Sequence, residues 1–325
     1  MNRVAIIVLV SLSAYCLLDL AMSAMTAVVW RTRAIAPANL PPAVRARRLL
    51  QFRLAPCIAA LAITLFVITP AFAIYEPAHP DEEIGPILEL LSTIALVQIL
   101  WAMFSAVRSA RLTTRIERQW LLGSAPIDSS RTAGLQAFAI ESAAPMVALV
   151  GVFTPKLLAA KSVVEACTRD EIACIVAHER GHFDARDNFK RWLMASLPGA
   201  LRWTPIHGEI VDAWHHAAED AADDAGTGGH AVARAELAAL LLKIVRLAPA
   251  PAWHAAIVSP FVEQLGLERR VRRLLQPELE PPAPLAIVPM IGLTVMVFAI
   301  VIAGSSPSTL KKIFQTVEHF VAYGR

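Results

Sequence analysis

Five consecutive residues, His178-Glu179-Arg180-Gly181-His182, combine metal-binding and acid–base groups at helical spacing. They spell HExxH. Residues four apart share one helix face, so His178 and His182 can hold one metal ion through two imidazole nitrogens. Glu179 then lies beside the metal's open coordination position, where a carboxylate can take a proton from water. Such chemistry needs two neutral nitrogen ligands, an open site and an adjacent base, and Zn2+ is the ion that suits that set. Gly181 weakens a helix interior by about 1 kcal/mol relative to alanine. Close approach of another backbone would explain it, and a packing reason would explain it equally well.

Two histidines leave a zinc site one protein ligand short. The extended motif with Gly and His three and six residues further on is excluded by Ala185 and Asn188. A second helical stretch, Trp214 to Asp224, places Glu219 and Asp223 four apart on one face. Glu219 as third ligand, with Asp223 hydrogen-bonded to a ligating histidine, would complete a His2Glu site. Asp220 and Asp224 read as a solvated acidic surface. His215, His216 and His230 are further histidines for which surface or capping roles are expected.

These residues need a scaffold, and the composition gives one of mixed character. Of 325 residues, 56% are hydrophobic, and the mean hydropathy is positive, too apolar for an ordinary soluble protein. Four stretches are long enough to cross a bilayer, at about 4–30, 55–75, 86–107 and 285–304. The first is read as an uncleaved span. Arginines crowd the segment from Arg31 to Arg53 and the one after Arg108, whereas residues 76–85 carry acids and no Lys or Arg. The positive-inside rule then puts the N-terminus outside and the insert after the third span in the cytoplasm, with the cell inner membrane as location. The net charge of +3 is mild and its arginines flank spans, so a nucleic-acid partner is not expected. Cys16, Cys57, Cys167 and Cys174 read as small apolar fillers in a reducing compartment.

Residues 1–108 are accordingly a membrane region with three spans, 109–284 a cytoplasmic catalytic domain, 285–304 a fourth span and 305–325 a short amphipathic extracytoplasmic tail. Within the domain, residues 146–153 and 156–158 suggest an apolar β-hairpin, whose edge could take an extended peptide. Thr168 with Glu171 forms a capping-box pattern at the start of the HExxH helix. The fold expected is a mainly α membrane protein: four transmembrane helices with a mostly helical, zincin-like domain containing a small β-hairpin.

The chain resembles the BlaR/MecR-type membrane metallopeptidases (peptidase family M fifty-six) and, more distantly, the HtpX and CAAX-prenyl-protease type. The likeness is carried by Pro145-Met146-Val147, Gly151 and Pro155, Asp170-Glu171 before the HExxH, Asp187-Asn188 after it, Trp203-Thr204-Pro205, Glu219 with Asp223, and the basic run Leu267 to Leu275. It implies His178, His182 and Glu219 as zinc ligands, Glu179 as catalytic base, Asp223 beside a ligand and Asp187 as support near the site. Relatives that sense β-lactams carry a large domain after the last span; only about twenty residues follow here, so that sensing is not expected. The activity implied is zinc-dependent endoproteolysis of a protein or peptide substrate at the membrane face, regulatory in purpose. Two alternatives stand beside it, broad quality-control proteolysis and a non-catalytic zinc-containing signalling protein. Expected partners are the substrate and the lipid bilayer, with a second copy of the chain left open.

Overall fold

A computed structural model describes residues 3–32, 35, 40–77, 85–128, 132–247, 264–276 and 306–323. Three apolar helical segments in it are long enough to cross a membrane. The first is α1, Arg3–Arg31. In the second, α2 (Pro42–Ile63) runs through a π-helical turn, Thr64–Ile68, into α3 (Thr69–Tyr75). Pro70 has no N–H to give and its ring crowds the preceding turn, and a widened turn absorbs that misfit. The third is α4, Pro86–Leu121. The fourth expected span, 285–304, lies outside the described residues.

α1 packs against α2 and α4 through Tyr15, Cys16, Ala60 and Ala95, while Leu90, Val97, Met103 and Phe104 of α4 point outward. Outward apolar side chains on a long helix suit a lipid environment. The chain's last described helix, Pro307–Tyr323, does carry the expected apolar stripe. Part of that stripe is covered by protein: Leu310 and Phe314 bury against Ile6, Val67 and Phe72, and the Phe72 and Phe314 rings lie 5.0 Å apart.

Two readings of the membrane region change. Of the arginines expected in a loop before the second span, Arg45, Arg47, Arg48 and Arg53 sit on α2 itself, where Arg48 and Arg53 are buried; Arg31 ends α1, and Arg33 lies outside the described residues. Arg53 donates to the Met194 carbonyl at 3.2 Å and to His207 Nδ1 at 2.7 Å, so it fastens α2 to the domain that follows. α4 runs without a break past residue 108, where the membrane region was expected to end.

The region after α4 opens on a four-stranded sheet of order β1-β2-β4-β3, from β1 (Ala125–Pro126), β2 (Ala137–Ile140), β3 (Val147–Val150) and β4 (Lys156–Ala160). The expected hairpin is present as β3–β4, paired Val147 with Ala159 through Val150 with Lys156. It is part of a larger sheet, because β2 adds in parallel on the other side of β4. β4 is therefore central and buried, and β3 is an edge. Helices follow: α5 (Lys161–Ala166), α6 (Arg169–Ala185), α7 (Asp187–Ser196), a short 3-10 turn at Ala200–Trp203, α8 (Pro205–Thr227), α9 (Ala231–Arg246), α10 (Gln264–Leu275) and the terminal helix, α11. Val147, Leu157 and Leu158 of the sheet pack with Ile175 of α6 and with Leu237, Leu241 and Ile244 of α9 to form the domain core.

α8 is the spine of the domain. Trp214, Ala217 and Ala218 bury one of its faces against Ala46 and Leu49 of α2 and Met194 of α7. Another face is acidic, and Asp220 overturns its reading as a solvated surface residue, being only 1% exposed. It accepts from Arg45 of α2 and from Arg269 of α10 at 2.7 and 2.8 Å. Asp224 is partly exposed and pairs with Arg273. A buried carboxylate is tolerable only with such partners.

α6 crosses α8 at glycines. A Cβ on Gly181 would stand 3.1 Å from the Ala222 Cα, and one on Gly226 would stand 3.0 Å from the His178 backbone nitrogen. Gly226→Ala should therefore force the two helices apart. A loss of about 1–3 kcal/mol is expected from such overpacking, read as a lower melting temperature in detergent together with weaker zinc retention. Wild-type stability and zinc content in this variant would refute the tight-crossing account.

Candidate metal centre

The HExxH residues lie on α6, which starts as the sequence suggests. Thr168 Oγ1 accepts from the Glu171 N–H at 3.3 Å, and Glu171 accepts from the Thr168 N–H at 2.7 Å. The reciprocal cap satisfies two orphan donors and fixes where the helix begins, hence which face carries the histidines. Arg186 ends α6 in the left-handed region at φ 56° and redirects the chain into α7. That turn brings Asp187 back beside the helix it has just left.

His178, His182 and Glu219 each offer one ligand atom, and these lie within 4.8 Å of one another. His178 Nε2 is 3.7 Å from Glu219 Oε2, and His182 Nε2 is 3.4 Å from Glu219 Oε1. Zinc bonds of 2.0–2.1 Å at tetrahedral angles give ligand separations of about 3.3 Å, so the spacing fits that ion. The other nitrogen of each ring is engaged. His178 Nδ1 lies 3.0 Å from Asp223 Oδ1, and His182 Nδ1 donates to Asp187 Oδ2 at 2.8 Å. Carboxylates on both Nδ1 atoms turn both Nε2 lone pairs toward the shared point, a support common to histidine–metal sites.

Each carboxylate is held in turn. Arg270 of α10 donates to Asp223 at 2.6 and 3.0 Å and stands 3.0 Å from Glu219 Oε2. Lys190 donates to Asp187 at 3.0 Å. The basic run singled out in the sequence thus supplies a buried arginine to the site, a role its pattern alone did not reveal.

The electrostatics favour a cation at the shared point. Burial alone would raise the Glu219 carboxyl, but the His182 and Arg270 charges carry it down to about 2. Burial also opposes charge on His182, yet Glu219 and Asp187 lift its imidazole to about 10. His178 goes the other way, held below its ordinary value by burial against the pull of Asp223. Glu179 is pushed up to about 7, first by burial and then by the neighbouring Glu219 charge, which outweigh the opposing His182 and Arg270. A carboxylate near 7 is suited to exchange protons at neutral pH.

The pocket around these groups is lined by Val147, Ala148 and Leu149 of the edge strand, the three ligand candidates, Glu179, Asn188 and Arg191. Its volume of about 20 Å³ is room for a water molecule. A wider cleft of about 400 Å³ adjoins it past Leu149 and His182, walled by Val152, Phe153, Phe183 and Phe189. Asn188 ties strand to helix by donating to the Leu149 and Gly151 carbonyls at 2.8 and 2.9 Å. The structure thus brings together every site residue expected from sequence: His178, Glu179, His182, Glu219, Asp223 and Asp187. Arg270, Asn188 and Arg191 were not anticipated, because no local motif marks a long-range partner. Of the other histidines, His230 is exposed, and His215 is half-buried and pressed down to about 4 by burial and the Arg191 charge. Neither lines the pocket.

Asp223→Asn should preserve the fold while loosening His178 and leaving Arg270 without a carboxylate on that side. Zinc affinity, measured by competition with a chromophoric chelator, is expected to fall about 10–100-fold. An unchanged affinity would show that Asp223 does not hold the ligand.

Residues 106–255 match the model of peptidase family M48. No curated protein matches the chain. The family match marks the chain as a metalloprotease, a hydrolase of peptide bonds whose metal is zinc, with the His178, His182 and Glu219 cluster as the place that fits the ion.

Proposed function

We propose that this chain is a membrane-anchored zinc endopeptidase that cuts extended protein segments at the cytoplasmic membrane face. In this reading His178, His182 and Glu219 hold the metal, Asp223 and Asp187 steady the two histidines, and Glu179 is the catalytic base. The observation that carries it is the placement of Glu179: a buried carboxylate beside the ligand trio, in a pocket with room for water and bordered by a sheet edge.

Zinc, when bound, acidifies a water molecule and polarises a carbonyl group. The chain's own residues do the rest. β3 is an edge strand with no further strand beside it among the described residues, and an extended substrate docks along it and stands the scissile bond over the pocket. Glu179 accepts a proton from water as the oxygen bonds to the carbonyl carbon. When the carbon–nitrogen bond breaks, Glu179 passes that proton to the departing amine. The adjoining apolar cleft takes a bulky hydrophobic side chain of the substrate.

Arginines flanking the spans support the cytoplasmic placement through the positive-inside rule. The resemblance to BlaR/MecR-type proteins supports a regulatory protein as substrate. A second reading, clearance of damaged membrane proteins, is favoured by that same cleft, which would accept an exposed apolar residue with little regard to sequence.

Glu179→Gln keeps the size of the side chain and removes the base. Cleavage, assayed on the detergent-purified protein, should fall by at least about 10²-fold, while zinc stays near one per chain. Cleavage at the wild-type rate would sink the base assignment. Comparing membrane proteomes with and without the active enzyme separates the two substrate readings: one or two cleaved proteins indicate a regulator, and many indicate clearance.

A further inference from the structure

We propose that Arg191 is a catalytic residue that donates a hydrogen bond to the scissile carbonyl oxygen as that oxygen becomes negative. The inference rests on the endopeptidase reading and adds a residue to it. Attack by water turns the carbonyl into a tetrahedral centre whose oxygen carries charge, and a donor already in place for that charge lowers the barrier.

The polar side chains around the pocket narrow the choice. His178, His182 and Glu219 converge on the metal position, and Glu179 has no proton to offer once it is the base. Asn188 has its amide group on two backbone carbonyls. Arg191 remains. Its Nε is buried and meets no hydrogen-bond acceptor, and among the described residues it makes no ion pair. A guanidinium in a pocket with two carboxylates would ordinarily pair with one of them. Here Glu219 is already engaged by Arg270 and faces both histidines. Leaving the buried Nε without an acceptor is costly unless something else completes it. A substrate oxygen would do so.

Its helix is anchored well enough for the task. Arg191 sits four residues after Asp187, which meets His182, and three after Asn188, which meets β3, so α7 presents these residues toward the site from one face. Trp192 next to it donates to the Ala106 carbonyl at 3.1 Å. Phe189 and Trp192 pack on Phe153, with ring centres 6.0 and 5.5 Å away. The helix that carries the donor is therefore fixed before substrate arrives, which serves electrostatic stabilisation. The planar guanidinium presents its donors in a fixed fork, which suits a single oxygen acceptor.

The test uses the full-length protein in detergent, fluorescein-labelled casein as substrate, and a phosphonamidate peptide that imitates the charged tetrahedral centre. For Arg191→Met, kcat should fall about 10²–10³-fold with little change in KM, zinc content should match wild type, and the phosphonamidate should bind weaker by a similar factor. Arg191→Lys should recover part of the loss, and added guanidinium ion should partly rescue Arg191→Ala. A raised KM with unchanged kcat would overturn the proposal and make Arg191 a reader of a substrate carboxylate. Wild-type kcat, KM and phosphonamidate affinity would make it a bystander. Failure of the endopeptidase reading looks different: wild type would not cleave, or Glu179→Gln would cleave equally well. Phosphonamidate binding still decides for or against Arg191 in that event.

Discussion

The distance between α6 and α8 is the constraint on which the rest of the site depends. A glutamate on one helix can reach between two histidines on another only if the backbones nearly touch. Gly181 and Gly226 provide that approach from opposite helices, each where a side chain would meet backbone of the other. Both residues reduce helix propensity, and the packing of two long helices outweighs that cost. Gly181 sits inside the HExxH segment itself, so the two histidines and the means of bringing Glu219 close to them are written into the same five residues.

Bringing Glu219, Asp220, Asp223 and Asp224 onto one helix concentrates negative charge, and the fold answers with arginines from two directions. Arg269, Arg270 and Arg273 come from α10, and Arg45 comes from α2. A buried ion pair seldom adds much net stability, since desolvation offsets attraction. It does fix geometry, because either partner alone would be an uncompensated charge. Arg45 belongs to a helix of the membrane region, as does Asp19, which accepts from the Ala200 N–H at 2.6 Å just before α8. The helix bearing Glu219 is thus attached to two spans by polar contacts that are hard to slide.

How much of this was legible in the sequence follows from the range of each interaction. The capping box, the HExxH face and the Glu219–Asp223 face are local patterns, and the structure places them as their spacing implies. The β3–β4 hairpin was legible because both strands are apolar and separated by a Gly-containing turn. β2 was not, since Ala137–Ile140 is too short and uniform to show alternation, and its parallel pairing with β4 is a non-local event. Asp220 was misread for a related reason: a run of acids on a helix usually faces water, and only the arrival of two distant arginines buries it. Arg48 and Arg53 were assigned to a loop because charge near a span reads as topology, whereas here helix α2 begins eleven residues before Arg53. Fold class and ligand set therefore came from local chemistry, while the supports around the ligands depended on tertiary contacts that no single segment encodes.

In the proposed reading, the same contacts also set where the cleft stands relative to the bilayer. α4 has 36 residues, about 54 Å at 1.5 Å per residue, and roughly 20 of them suffice to cross the hydrocarbon core. That leaves about 24 Å of rigid helix beyond the membrane. Its far part holds the sheet, with Lys156 of β4 paired to Glu117 at 2.8 Å. Its nearer part holds α7, through the bond from Trp192 to Ala106 at the end of the apolar stretch. In the proposed reading, where α4 crosses the bilayer, the domain that carries the cleft is tied to this helix at both places and stands near the headgroups. In the proposed reading, a substrate reaches it when the segment to be cut is extended and lies near the membrane surface. Selection by proximity of this kind asks little of side-chain recognition, which suits a cleft whose walls are mainly aliphatic and aromatic.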